Sequence, residues 1–176
     1  MSVLYFVVQQ TMYFAIPLLI VAIGAMYSER SGVINIALEG IMVMGAFVGI
    51  FFINTFQDRM SGQGLLLLTI LIVGVAGGIF SLLHAFAAIN MKADQTISGT
   101  ALNMFAPAFA IFTARMIQGV QQIQFNDTFH IDKVPVLGDI PVLGDMFFKN
   151  CYITTYLGIL IFIVAAFVIK RTRFGL

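Results

Sequence analysis

The sequence predicts an all-α, polytopic integral membrane protein with about five transmembrane helices and a break around Ser28–Gly32. Three observations carry this. The chain is 60% hydrophobic and only 10% charged, whereas soluble domains run near ~25% charged. Its apolar residues gather into five runs, Val3–Tyr27, Val33–Asn54, Leu65–Met91, Ile97–Ile117 and Tyr152–Ile169, each of roughly spanning length. Between the first two runs, Glu29 and Arg30 stand at the edge of apolar sequence and Glu39 stands inside it. A charge there is costly unless it faces water, a partner or a cavity.

Composition also excludes function classes. A net charge of +1 gives no footprint for nucleic acid, so the macromolecular surroundings expected are membrane lipid and protein. The one cysteine, Cys151, rules out an intrachain disulfide. No Cys/His cluster offers a metal site, and no Gly-rich phosphate loop precedes a Lys-Ser/Thr pair. No catalytic residue, cofactor or metal is therefore assigned. The N-terminus lacks a basic region and cleavage site, so the first span is expected to be retained.

In the first run, Gln9, Gln10 and Thr11 interrupt the apolar sequence early, so the part deepest in lipid starts near Met12. Pro17 is a kink candidate, its freed carbonyl to be satisfied by neighbouring helices. Gly24 and Ser28 make a small-xxx-small pair suited to helix contact. Ser31-Gly32 can end a helix, and Ser28 or Asn35 can cap a new one. Two readings fit this stretch: a non-helical break at membrane depth, of the kind found at transporter binding sites, or a tight polar turn between ordinary spans. Glu29, Arg30, Gly32 and Pro17 are the gating or structural candidates.

The second run carries Gly45 and Gly49 at GxxxG spacing. Asn35 and Glu39, read as one turn apart in this helix, should share a face that points into the bundle. The alternative is a Glu39 that pairs with Arg30 and only pins two helices. After the polar connection 57–64, the third run carries Gly74 and Gly78, again at GxxxG spacing, and His84. A hydrogen bond to a neighbouring helix is the favoured account of His84, ahead of a functional intramembrane histidine. In the fourth run Thr96, Thr100, Asn103 and Pro107 recur at helical spacing. Such a polar stripe is either interhelical glue or the wall of a solute pathway, and neutral groups suit an uncharged polar solute. Asn35, Glu39, Thr96, Thr100 and Asn103 are accordingly the pathway candidates.

Residues 118–150 form the one sizeable polar segment and are expected to be an extracytoplasmic loop. Pro135-Val-Leu-Gly-Asp139 repeats as Pro141-Val-Leu-Gly-Asp145, which suggests two stacked turns on the membrane surface. Lys170, Arg171 and Arg173 follow the fifth run. If they are cytoplasmic, five spans put Arg30 and Lys92 on the same side and the N-terminus outside, with Arg59, Lys133 and Lys149 diluted over longer loops. Arg115, near the outer end of the fourth run, argues mildly the other way.

The stretch Ser28-Glu-Arg-Ser-Gly-Val-Ile-Asn-Ile-Ala-Leu-Glu-Gly-Ile-Met-Val-Met-Gly-Ala-Phe47 strongly resembles the signature of permease subunits of bacterial ABC importers for purine nucleosides and simple sugars. Ala93-Asp-Gln-Thr-Ile-Ser-Gly-Thr-Ala-Leu-Asn103 resembles the second segment of that family. Asp139-Ile-Pro-Val-Leu-Gly144 looks like its outer loop, and Lys170-Arg-Thr-Arg-Phe-Gly-Leu176 like the lead-in to its ATPase-coupling loop. Branched-chain amino acid permeases share a similar Gly-Val-Ile-Asn element, but Ile36-Ala-Leu-Glu-Gly40 and the preceding Ser-Glu-Arg favour the nucleoside/sugar group.

The resemblance implies a multi-pass permease of the bacterial plasma membrane that forms part of a solute pathway. It also implies four partners: a second permease subunit, ABC ATPase subunits that carry out hydrolysis, an extracytoplasmic solute-binding lipoprotein, and membrane lipid. Residues 1–176 are read as one permease domain. Family permeases are longer, so the chain resembles an N-terminal portion that stops before the coupling loop. A branched-chain amino acid permease and a non-transporting truncated fragment are the alternatives.

The orientation is testable. In a Cys151→Ser background, a single cysteine at Gln122 should react with an impermeant maleimide added from outside the cell. Labelling only from the cytoplasmic side would invert the assignment.

Overall fold

A computed structural model describes residues 2–125, 129–133, 147 and 149–172. The Pro135–Asp145 repeat and the Arg173–Leu176 end of the basic segment lie outside the described residues. Five helices are long and apolar enough to cross a membrane. They are α1 (Ser2–Arg30), α2 (Leu38–Phe56), α3 (Gln63–Ile89), α4 (Gln95–Gln118) and α5 (Ile153–Arg171). Two short strands, β1 (His130–Lys133) and β2 (Lys149–Tyr152), pair antiparallel ahead of α5, with His130 opposite Tyr152 and Ile131 opposite Cys151. Residues 118–150 are expected as loop, yet both strands, which start within them, find a backbone partner distant in sequence.

The chain divides into two units, Met1–Arg30 with Phe129–Leu176, and Ser31–Thr128. In the first unit α1 packs on α5. Pro17 sits inside α1 without ending it, as neighbouring turns carry the helix through. The contact is close because Gly158 has no side chain: a Cβ built there would lie 2.5 Å from Ile16 Cγ2 and 3.1 Å from Ile20 Cδ1. Tyr27 Oη donates to the Ala165 carbonyl at 2.9 Å and so ties the far ends of the two helices. Tyr152 anchors the strand pair, edge-on to Tyr13 and stacked at a tilt on His130. Among the described residues nothing lies within 4 Å of a Cβ built on Gly24.

The second unit holds α2, α3 and α4 around Met44, Phe80 and Ala106, with Ile41, Phe47 and Leu102 packed against them. Gly45 and Gly49 admit α3 as predicted, since Cβ atoms there would meet Val73 side-chain carbons at 3.2 and 2.8 Å. The corresponding pair on α3 differs: Gly74 and Gly78 face open space. α4 starts two residues earlier than the hydropathy suggests, because Asp94 caps it by accepting from the Thr96 and Ile97 amides at 2.8 and 3.1 Å. It ends at Gly119, whose φ of 73° reverses the chain.

Adding one methyl at the α1–α5 contact should overpack it. Gly158→Ala is expected to destabilise the detergent-solubilised protein by about 1–3 kcal/mol, read as a lowered melting temperature. Ile16→Ala in the same chain should recover part of the loss. Full additivity of the two changes would show that the contact is not made.

Candidate functional site

Between α1 and α2 the chain is not helical. Ser31–Ala37 is non-helical and joins two spans, as both the break and the turn read from the sequence require, and it lies later than the Ser28–Gly32 position predicted. α1 runs on through Arg30, and Gly32 then takes a φ of 86°, a left-handed conformation that ends a helix and that glycine adopts without a Cβ clash. Leaving a helix orphans backbone donors and acceptors at both of the new ends. A polar group that loses water without gaining a partner costs free energy. The structure shows where they find partners.

Side chains from α3 and α4 supply them. Gln95 Oε1 accepts from the Ile34 amide at 2.8 Å, and Gln95 Nε2 donates to the Gly32 carbonyl at 3.4 Å. His84 Nε2 lies 3.2 Å from the Ile34 carbonyl. Asn103 bridges the start of α2: its Nδ2 donates to the Ile36 carbonyl at 2.8 Å, and its Oδ1 accepts from the Gly40 amide at 2.7 Å. The helix has Ala37 at its N-cap, which makes no side-chain bond. Asn103 therefore does from another helix what an N-cap asparagine does locally. Asn35 Oδ1 accepts from the Ala37 amide at 3.1 Å, a local turn of the kind asparagine favours.

The histidine tautomer follows from its partners. A carbonyl can only accept, so Nε2 of His84 carries a proton. Ser98 Oγ is 2.8 Å from Nδ1. In the neutral ring Nδ1 accepts, and Ser98 donates. His84 is 2% exposed, and its position bears out the interhelical hydrogen bond favoured from sequence. The α4 side chains that bond the break, Gln95 and Asn103, are uncharged carboxamides.

Close backbone approach makes these bonds reachable. A Cβ on Gly99 would lie 2.8 Å from Ile36 Cβ and 3.1 Å from the Ala37 nitrogen; one on Gly40 would lie 2.7 Å from the Leu102 carbonyl oxygen. The face of α4 turned to the break and to the start of α2 is thus Gln95, Ser98, Gly99, Leu102 and Asn103, on one side of the helix. The predicted stripe was rotated from it by about one residue. Of its members, Asn103 reaches the break. Thr96 and Thr100 are exposed, and the Thr100 hydroxyl donates to the Thr96 carbonyl of its own helix at 2.8 Å.

The remaining predicted residues divide between the units. Asn35 precedes α2 instead of lying one turn before Glu39 within it, so the two do not share a helical face. Glu39 lies in the first turn of α2, exposed, where the helix dipole favours an acid. Glu29 and Arg30 are exposed at the end of α1, and Pro17 is exposed midway along it, all in the first unit. Sequence reasoning passed over Gln95, Ser98, Gly40 and Gly99. The signal was present as small and amide residues at i, i+3, i+4 and i+8 in α4. Among the described residues no group of His, Cys, Asp and Glu could hold a metal ion.

A family model described as branched-chain amino acid transport system / permease component matches residues 7–176, nearly the whole chain. The chain belongs to this permease family. It is 43% identical over 176 residues to the guanosine ABC transporter permease protein NupQ of Bacillus subtilis, covering 99% of this chain and 55% of that protein. It is 38% identical over 175 residues to the nucleoside ABC transporter permease protein NupC of Lactococcus lactis, with 99% and 55% covered. This permease chain thus spans about half the length of the curated relatives it matches. No solved structure matches it. With the family and five apolar helices established, it is a multi-pass protein of the bacterial plasma membrane.

Removing Asn103 should loosen the break. Asn103→Leu orphans the Gly40 amide and the Ile36 carbonyl, which should cost about 1–3 kcal/mol for each group left unsatisfied. Amide exchange at Ile34–Ile41 should accelerate, with α5 unaffected. Unchanged exchange would show that the bridge does not hold the segment.

Proposed function

We propose that this chain forms part of the solute pathway of a nucleoside ABC importer. The observation that carries the reading is its 43% identity, across 99% of its length, to a permease whose name assigns it guanosine. A second nucleoside permease at 38% supports the same solute class over simple sugars. The implied partners are a second permease subunit, ABC ATPase subunits and an extracytoplasmic solute-binding lipoprotein. ATP hydrolysis falls to the ATPase subunits, and this chain contributes the path.

The geometry suggests how. Ser31–Ala37 is held largely by carboxamide hydrogen bonds, each worth roughly 0.5–1.5 kcal/mol net. Such bonds can be exchanged for solute or water without separating charges. Asn103 and Asn35 hold the segment, while Thr96, Thr100 and Glu39 stand exposed beside it on the same helices. Exposed hydroxyls and a carboxylate can hydrogen-bond a sugar or base edge. A branched-chain amino acid, the solute in the family's description, is the second reading.

Uptake tests the reading. In cells carrying the intact transporter, labelled guanosine should accumulate, and excess uridine should compete where glucose and leucine do not. Glu39→Gln should slow uptake several-fold at unchanged membrane level. Competition by leucine alone would move the assignment to the amino acid.

A further inference from the structure

The chain reverses at Gly119 and the following residues lie back over α2 and α4. Asn54 fastens this strap from both sides: its Oδ1 accepts from Gln118 Nε2 at 2.9 Å, and its Nδ2 donates to the Gln124 carbonyl at 2.6 Å. Beneath the strap is a cavity of about 400 Å³, inside the ~300–1,000 Å³ range of small-molecule sites. Its walls are Val43, Phe47 and Ile50 of α2 and Ala110, Ile111 and Ala114 of α4, and its cover is Gln121–Gln124.

The chemistry of the lining is selective. Phe47 is set by its neighbours, stacked on Phe51 at 6.2 Å and edge-on to Phe109 at 6.2 Å, so it presents a fixed ring to the cavity it lines. No lining residue is ionisable. Arg115 does not line the cavity, and the Gln121 amide, once turned to present its oxygen, can accept from Arg115 Nε at 3.2 Å. Gln122 and Gln124 add further carboxamides, which donate and accept at once. One aromatic wall, an apolar floor and neutral amides along one side fit a planar, uncharged ring whose edge carries hydrogen-bonding groups.

We propose that the cavity under the 119–125 strap is a solute site for a nucleoside, with the base on Phe47 and its edge against Gln122 and Gln124. The proposal rests on the nucleoside reading given above. It also uses the orientation in which the C-terminal end of α4 faces outward, which makes this a receiving site ahead of the break.

The chain contains no tryptophan, so a single introduced indole reports cleanly. Phe47→Trp, and separately Ile111→Trp at a half-exposed position, would be placed in this 176-residue chain in nanodiscs. Guanosine should quench the Phe47→Trp emission saturably, and glucose and leucine should not. Adding Gln122→Ala should weaken the apparent affinity by about tenfold, one lost hydrogen-bonded contact. Quenching by brominated phospholipid without quenching by guanosine would overturn the proposal and assign the cavity to an acyl chain. Absence of both kinds of quenching in both reporters would overturn it too. Guanosine uptake by the intact transporter alongside either negative result would leave the nucleoside reading standing and remove only this site.

Discussion

Backbone between α1 and α2 leaves the helix in a part of the chain flanked by apolar spans, and its amides and carbonyls must still be bonded. That requirement shapes the second unit. It explains why α3 carries a buried histidine and why α4 begins with Gln95 and holds Asn103 two turns on. It also explains why the residues between them on that face are small. A hydrogen bond from a short asparagine to a neighbouring backbone is possible only if the helices nearly touch, and Gly99 and Gly40 permit that.

Packing and polarity therefore act together at the break. The glycines bring α4 to the segment, and the amides then use the approach. Neither would suffice alone: close contact without partners leaves buried orphans, and partners without close contact cannot reach. The first unit is simpler. There α1 and α5 need only bury apolar surface, so one glycine and one tyrosine hydroxyl make the contact specific.

The proposed function draws on the uncharged amides of this segment. A segment pinned by ion pairs in a low-dielectric setting would be costly to open, since removing one partner leaves an uncompensated charge. A segment pinned by amides and an imidazole can trade its bonds for those of a polar solute. The strap cavity follows the same rule, with carboxamides and a phenyl ring where a charged solute would need ions. Both regions suit an uncharged, hydrogen-bonding cargo, in keeping with the nucleoside permeases that share the sequence.

Helical class, span number and the presence of a break could all be read from the residues, because hydropathy, glycine and short polar side chains act locally. So could the Gly45/Gly49 contact and the role of His84, since burying a lone imidazole among apolar residues demands a partner. Which face of α4 meets the break could not. Thr96, Thr100 and Asn103 look equivalent on a helical wheel, and only the approach of Ile36 to Gly99 separates the bonded residue from the exposed pair. Likewise Glu39 stands exposed at a helix start although its charge suggested burial. The β1–β2 pair and the strap at Gly119 depend on partners far along the chain. Local chemistry chose the elements; the choice of partner belonged to helix packing, because a side chain's role in a bundle depends on which neighbour arrives within about 3 Å.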